Sequence, residues 1–149
     1  RSTPLYSSAA SDVYKRQVLM TMQEMSTAVQ YKLPIKIFIL NNQYMGMVRQ
    51  WQELLHEKNY SESYTAALPD FVKLAEAYGC VGIQAKKPDE LDEKINEMIN
   101  VNKPVIFDCL VDPMENCFPM IPSGKPHNQM LLGPEDEKEE VSDEGKTLV

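Results

Sequence analysis

The feature that most constrains the fold is a short apolar strand that runs directly into a polar turn and a helix, KIFILNNQYMGMVRQWQ at residues 36–52. Residues 35–40 are rich in isoleucine and apolar on both faces apart from one lysine, which is typical of an interior strand of a parallel sheet. The helix predicted from Met47 to His56 carries the only tryptophan, Trp51. In open α/β sheets, ligands bind where such strands end. Two side-chain amides at this place therefore predict a binding site in the turn.

Helical and strand patterns alternate along the chain. Apolar residues recur three and four apart in the helices, which we predict at residues 18–29, 47–56, 70–78 and 87–101. Short apolar runs predict strands at residues 35–40, 80–85 and 104–112. Strands that alternate with helices imply right-handed crossovers. We therefore predict an α/β fold in which a parallel sheet has helices on both faces.

Composition divides the chain into four parts. Residues 1–17 are small and polar without a period, and we expect a disordered or non-native leader there. Residues 18–112 hold the α/β pattern, and the proline-rich residues 113–133 are predicted to be a covering arm. Residues 134–149 carry seven acidic residues against two lysines, which predicts a disordered acidic tail.

Charge and cysteine content exclude several classes of function. The acidic tail accounts for −5 of the net charge of −7, so the remainder is nearly neutral and has no basic stripe for nucleic acid. No segment is long and apolar enough to predict a membrane span. The three cysteines lack paired metal-ligand spacing, so neither a disulfide framework nor a zinc site is expected. A reducing, cytoplasmic location is the expectation.

The residues of the turn indicate the kind of ligand. Amide oxygens from Asn41 and Asn42 are suitable ligands for Mg²⁺. Gly46 allows close approach of the backbone, and the N-terminus of the following helix offers N–H groups to an anion. These residues predict a site for phosphate and a divalent metal. The alternative is that the two asparagines only tolerate left-handed turn geometry and cap the helix, and the residues alone leave both interpretations open.

Two longer strings narrow the choice. MTMQEMSTAVQYKLPIKIFILNNQYMGMVRQWQELL at residues 20–55, followed by FPMIPSG at residues 118–124, closely resembles acetohydroxyacid (acetolactate) synthase. The similar part of that family is the C-terminal thiamine-diphosphate domain of the large, catalytic subunit. The resemblance runs from about Val18 to Gly133.

The resemblance implies roles for particular residues. Asn42 would bind Mg²⁺ through its side-chain oxygen, and Tyr44 would bind it through its main-chain carbonyl. Cofactor contacts near the pyrimidine ring, the diphosphate and the reacting end would come from Met20, Tyr44, Met45, Gly46 and Met47. The substrate channel would be lined by Met47, Trp51 and Ser123. Judged by residue type alone, the tryptophan and the methionines are equally compatible with plain core positions.

The resemblance fails at one place. The family carries Gly-Asp-Gly at an interval that falls here on residues 14–16, which read YKR. A lysine at the position of a metal-binding aspartate would repel Mg²⁺. Agreement stops between Gln17 and Val18, so we expect the leader to be non-native and the chain to be a fragment. The glutamate that activates thiamine and the domain with most FAD contacts would lie outside this chain, so no catalytic residue is assigned.

The resemblance implies a function for the full-length enzyme. It would decarboxylate pyruvate with thiamine diphosphate and Mg²⁺ and condense the product with a second 2-keto acid, pyruvate or 2-ketobutyrate, in valine, leucine and isoleucine biosynthesis. It would also bind FAD and form a homodimer or tetramer with a small regulatory subunit. The fragment alone is expected to be inactive. Two alternatives are another thiamine enzyme, such as pyruvate oxidase or a 2-keto acid decarboxylase, and a non-catalytic α/β interaction domain.

Overall fold

The computed structural model describes residues 18–122 and 124–133. Its helices are α1 (Glu24–Gln30), α2 (Gly46–Leu55), α3 (Phe71–Tyr78) and α4 (Leu91–Asn100), and its strands are β1 (Lys36–Asn41), β2 (Val81–Ala85) and β3 (Val105–Leu110). Short 3₁₀ helices span Pro88–Glu90 and His127–Gln129. The predicted leader and acidic tail lie outside the described residues and stay predictions.

The three strands form one parallel sheet in the order β1-β3-β2. Val105 at the start of β3 is level with Lys36 of β1 and with Val81 of β2. β3 lies in the centre and is buried from Val105 to Cys109, because it is covered on both faces and paired on both edges. The predicted parallel sheet is confirmed.

Helices pack on both faces of the sheet, which confirms the predicted fold class. One face, the α1/α3 face, is covered by α1 and α3 and contains a buried cluster of Met25, Ile39, Phe71, Ala75, Cys80 and Ile106. The opposite face, the α4 face, contains a cluster of Ile83, Ala85, Met98, Val105, Phe107 and Cys109. Within the described ranges no helix is long and apolar enough to cross a bilayer.

α3 lies close to the sheet and has clear signals at both ends. Asp70 caps it by accepting the Val72 and Lys73 N–H groups, both at 3.1 Å. Gly79 ends it in a left-handed conformation with φ 81°. A Cβ added to Gly82 of β2 would lie 2.7 Å from the Cα of Val72. Glycine at this position therefore allows the backbone of α3 to approach the sheet directly.

Several element boundaries differ from the predictions. The first predicted helix is interrupted, because residues 18–21 are helical, residues 22–23 form a turn, and α1 begins at Glu24. The helix predicted from residue 87 starts as the 3₁₀ turn and becomes α-helical at Leu91. β1 continues one residue further than predicted, because the Asn41 carbonyl accepts the Val111 N–H at 3.2 Å and so extends the ladder to β3.

The segment after β3 is mostly irregular, as its proline content predicts. Its described part contains an antiparallel pairing in which Met120 and Leu131 exchange N–H···O bonds of 2.9 and 2.7 Å. Leu131 in this pairing is buried, whereas Ile121, Met130 and Leu132 are exposed, Leu132 to 69%.

Candidate functional site

The turn after β1 lies at the carboxyl edge of the sheet. Asn42 is 5% exposed, and its side-chain oxygen accepts the Tyr44 N–H at 3.0 Å. Gln43 between them has a left-handed backbone with φ 64°. The N-cap residue of α2 is Met45, which forms no side-chain capping hydrogen bond. Neither asparagine has a left-handed backbone and neither caps α2, so the turn-geometry alternative is wrong on both points. The left-handed residue is Gln43, and Asn42 contributes to the turn through its side-chain hydrogen bond.

Two main-chain hydrogen bonds tie the turn to the loop that follows α2. The Met45 N–H donates to the Ser63 carbonyl at 2.8 Å, and the Thr65 N–H donates to the Gln43 carbonyl at 2.9 Å. Among the residues that the structure describes, no main-chain N–H group donates to the Tyr44 carbonyl. The turn is thus held from both sides while one of its carbonyl oxygens remains usable as a ligand.

The N-terminus of α2 follows the turn directly. Gly46 is the first residue of this ten-residue helix and is buried, and Met47 comes next. The first N–H groups of a helix have no intrahelical acceptor, and the helix dipole adds partial positive charge there. The first turn of α2 carries no acidic side chain that would oppose an anion. This arrangement suits a phosphate group.

One face of α2 lines an open, largely apolar groove of about 550 Å³. Its lining residues are Met47, Val48, Trp51, Gln52 and His56. Met47 and Trp51 are four residues apart and therefore lie one above the other on the helix. Trp51 is partly buried and contributes to this groove, so it is not a plain core residue.

Arg49 on the other side of α2 is completely buried. It pairs with Glu53, four residues further along the helix. It also donates to the Glu115 carbonyl at 2.8 Å and to the Asn116 side-chain oxygen at 2.6 Å. A buried charge needs such partners, and here two of them come from the segment after β3.

Gln50 attaches the same segment through its side-chain amide. Its oxygen accepts the Cys117 N–H at 2.8 Å, and its nitrogen donates to the Cys117 carbonyl at 3.1 Å and lies 2.9 Å from the sulfur of Met120. The side chain thus pairs with the main chain as a neighbouring strand would. Sequence reasoning missed Arg49 and Gln50, and the i,i+4 spacing of Arg49 and Glu53 was the only available signal.

A buried polar network lies on the α1/α3 face at the carboxyl edge of the sheet. Asp108 of β3 is 3% exposed and accepts hydrogen bonds from Asn41 of β1 at 2.9 Å and from Gln84 of β2 at 2.8 Å. The Asn41 oxygen accepts the Gln43 N–H at 3.2 Å. Sequence reasoning missed Asp108, although an acidic residue inside the apolar strand VIFDCL was a usable signal.

Two of the three thiols are buried and one is exposed. Cys80 and Cys109 are buried, Cys117 is exposed, and all three are free. Burial raises the pKa of the Cys80 thiol. Burial, and to a smaller extent the negative charge of Asp108, raises the pKa of the Cys109 thiol. The two strand cysteines therefore act as small buried hydrophobes.

Comparison with known families gives a match over most of the ordered fold. Residues 17–109 match the family described as "Thiamine pyrophosphate enzyme, C-terminal TPP binding domain". The chain belongs to this family. This match confirms the family predicted from the turn and the helix that follows it.

Relatives of this TPP-binding domain carry a consistent name. The chain is 48% identical over 113 residues to the acetolactate synthase large subunit of Cyanidium caldarium, which is 75% of this chain and 19% of that protein. It is 45% identical over 122 residues to the Haemophilus influenzae large subunit, covering 81% and 21%. It is 46% identical over 118 residues to the acetolactate synthase isozyme 3 large subunit of Escherichia coli K12, which is 77% of this chain and 21% of that protein. The chain spans about a fifth of the length of these curated relatives.

A solved structure supports the TPP-binding fold. The thiamine diphosphate-dependent 4-hydroxybenzoylformate decarboxylase of Rhodococcus jostii RHA1 superposes with a TM-score of 0.59 at 24% identity. The match covers 65% of this chain and 18% of that one. At this identity the likeness shows the fold alone.

The oxygen donors in the turn of this TPP-binding domain are of the chemical type that a hard cation prefers. Asn42 and Tyr44 offer neutral amide and carbonyl oxygens, which suit Mg²⁺. In the described ranges no group of three or more His, Cys, Asp or Glu side chains could hold a metal ion. The remaining positions around an ion would therefore need phosphate, water or further protein oxygens. Residues 14–16, where YKR replaces the expected motif, lie outside the described residues.

The described contacts do not place two of the predicted site residues, Met20 and Ser123, near the turn. Met20 is 74% exposed and belongs to neither core cluster. Ser123 lies outside the described residues. Their predicted roles at the pyrimidine ring and in the substrate channel stay predictions.

Proposed function

We propose that this chain is the thiamine-diphosphate-binding part of an acetolactate synthase large subunit. The full-length protein would decarboxylate pyruvate and join the product to a second 2-keto acid, in the biosynthesis of valine, leucine and isoleucine. The observation that carries the proposal is 42–48% identity to proteins of that name over three quarters or more of this chain. The turn and groove described above agree with it.

The metal part of the proposal concerns the turn. Asn42 would hold Mg²⁺ through its side-chain oxygen and Tyr44 through its carbonyl, and both oxygens belong to a turn that is fixed at each end. When bound, thiamine diphosphate supplies the nucleophilic carbon that a 2-keto acid needs to lose CO₂ and to join another. The role of this chain would be to position that cofactor.

The phosphate part concerns the start of α2. Main-chain N–H groups from Gly46 and Met47 would face the diphosphate beside Met45, whose own N–H donates to the Ser63 carbonyl, and Gly46 allows the backbone to come close. The absence of acidic side chains in the first turn supports this assignment. The dipole of a ten-residue helix would add favourable charge at the same end.

The substrate part concerns the groove on α2. Met47 and Trp51 would shape the place where the second 2-keto acid is received, because both line the groove, and Trp51 lies one helical turn beyond Met47 and the proposed diphosphate site. Their apolar surfaces exclude water from the reacting end of the cofactor, and that strengthens electrostatic interactions there. Ser123 would contribute from the covering arm, residues 113–133.

The remaining expectations apply to the full-length protein. These are FAD binding, use of pyruvate and 2-ketobutyrate, a homodimer or tetramer with a small regulatory subunit, and a cytoplasmic location. They rest on the resemblance of the sequence, and no described residue is assigned to them. The glutamate that activates thiamine is likewise expected outside this chain.

A segment exchange tests the proposal. Residues 18–133 would replace the matching segment of the Escherichia coli isozyme 3 large subunit, and acetolactate formation from pyruvate would be measured. We expect activity in the exchanged protein and its loss when Asn42→Ala is added, with circular dichroism as the control for folding. A folded exchange protein that forms acetaldehyde instead would point to a decarboxylase and contradict the proposal.

The chain alone gives a second test. We expect no synthase activity and only weak thiamine diphosphate binding in a calorimetric titration with Mg²⁺, because the described residues supply few metal ligands. Tight Mg²⁺-dependent binding would contradict the incomplete site. Binding that is unaffected by Mg²⁺ would contradict the role of Asn42.

A further inference from the structure

A buried carboxylate joins the carboxyl ends of all three strands. Asp108 of the central strand accepts one amide hydrogen bond at each oxygen, from Asn41 at 2.9 Å and from Gln84 at 2.8 Å. In the part of the chain that the structure describes, no Lys, Arg or His forms an ion pair with it. A carboxylate in such a position persists only when its oxygens are satisfied by hydrogen bonds.

The network continues from Asp108 into the metal turn. Because the Asn41 NH₂ group faces Asp108, the Asn41 oxygen faces the other way and accepts the Gln43 N–H at 3.2 Å. Gln43 is left-handed, a conformation that a residue with a side chain adopts only with support. It lies between Asn42 and Tyr44, so its backbone angles decide how close their two oxygens come to each other.

We propose that Asp108 is a positioning residue for the proposed Mg²⁺ site. It fixes which end of the Asn41 amide faces the turn, and that amide holds Gln43 in the conformation that directs the Asn42 and Tyr44 oxygens toward one ion. This inference rests on the proposed function, since it gives Asp108 a part in the thiamine diphosphate site. It assigns the effect to hydrogen-bond geometry and not to the negative charge.

Two substitutions separate geometry from charge. In Asp108→Asn the remaining oxygen accepts from Asn41, and the new NH₂ group donates to Gln84 once the Gln84 amide has rotated by half a turn. The orientation of Asn41 is therefore kept although the charge is lost. In Asp108→Leu both acceptors are lost, and the Asn41 amide no longer has a preferred orientation. An effect of the negative charge predicts that both substitutions weaken the turn and its metal binding equally. An effect of positioning predicts that only Asp108→Leu does so.

A third substitution tests the step through Gln43. Glycine adopts positive φ without support, so Gln43→Gly should restore the turn in the Asp108→Leu background. A role of Asp108 that only joins the strands would not be rescued by a change in the turn. This double variant therefore distinguishes positioning from general stabilisation of the sheet.

The experiment uses NMR on the full 149-residue chain. The first measurement, without metal, is amide hydrogen exchange at Gln43, referenced to amides in the middle of β3. We expect amide exchange at Gln43 to be about tenfold faster in Asp108→Leu, because the equilibrium constant for local opening rises about tenfold. In Asp108→Asn the exchange should be nearly unchanged. The second measurement is line broadening of the Gln43–Met45 amides by Mn²⁺ with thiamine diphosphate. Its midpoint should rise about tenfold in Asp108→Leu and recover with Gln43→Gly.

Several results would contradict the positioning role of Asp108. Folded Asp108→Leu with unchanged exchange and an unchanged Mn²⁺ midpoint overturns the proposal, and so does equal damage in Asp108→Asn. If Asp108→Leu does not fold, Asn41→Ala replaces it, because this variant removes the amide that links Asp108 to Gln43, and an unchanged midpoint in that variant overturns the proposal. If Mn²⁺ broadens no turn amide in the unmodified chain while Gln43 stays protected, the proposed metal site itself is wrong and the positioning role falls with it.

Discussion

Gln50 is one of two α2 residues that attach the segment after β3, and its removal has a calculable effect. The Gln50 amide makes two hydrogen bonds to the main chain of Cys117, at 2.8 and 3.1 Å, and is 1% exposed. Each such bond contributes a net 0.5–1.5 kcal/mol, so Gln50→Leu should weaken the attachment by about 1–3 kcal/mol. At 1.4 kcal/mol per factor of ten, local opening of the segment becomes roughly 5- to 150-fold more frequent.

Amide hydrogen exchange at Cys117 measures the local opening of this segment directly, because the Cys117 N–H donates to Gln50. Exchange at Cys117 should accelerate by that factor in Gln50→Leu, while amides in β3 keep their rates. Gln52→Leu is the matched control, since Gln52 is on the same helix but donates to the Ser61 carbonyl at 2.8 Å. Protection of Cys117 that survives Gln50→Leu within about twofold, well below the range derived from hydrogen-bond energies, would refute the assignment of this attachment to Gln50.

Three further predictions concern the fold. Gly82→Ala should lower the free energy of unfolding by about 1–3 kcal/mol in denaturant titration, because the new Cβ lies 2.7 Å from the Cα of Val72. Gly133→Ala, with nothing within 4 Å, should change it by less than about 0.5 kcal/mol. Cys117 should be the only thiol that reacts rapidly with Ellman's reagent in the native chain, and three fast thiols would contradict the burial of the other two. Hydrogen bonding to the Lys73 N–H lowers the pKa of Asp70, so the stabilisation by this cap should be present near neutral pH and disappear as pH falls below about 4; an Asp70→Ala difference that persists in acid would contradict it.

The parallel sheet could be predicted because its signals are local. β3 is a mostly apolar run and is buried on both faces, as such a pattern predicts. The run at residues 35–40 has the same pattern, but β1 is an edge strand of the described sheet and Phe38 on one of its faces is 38% exposed, so the prediction of an interior strand is wrong there. The helix predicted at residues 70–78 agrees with α3 within one residue, because capping by Asp70 and left-handed termination at Gly79 depend on a few adjacent residues. The turn was predicted for the same reason, since its asparagines follow the strand directly.

The contacts that hold the candidate site could not be predicted in this way. Asn41 and Asp108 are 67 residues apart, and so are Gln50 and Cys117. Hydrogen bonds of this kind depend on which strands are neighbours and in which register, and no local period reports that. Boundary errors have a similar origin: Asn41 belongs to β1 because β3 extends to meet it, and not because asparagine favours strands.

The turn and the groove are therefore fixed by different parts of the chain, although only a few residues separate them. The turn depends on side chains from the three strand ends, through Asp108, and on the loop around Ser63. The groove lies on α2, whose opposite face is attached through Arg49 and Gln50 to the segment after β3. Two anchors that share no residue should respond independently to substitution, because separated sites add their effects. In the proposed two-substrate enzyme, this would allow the proposed pocket for the second keto acid to vary while the geometry of the proposed metal and diphosphate site stays unchanged.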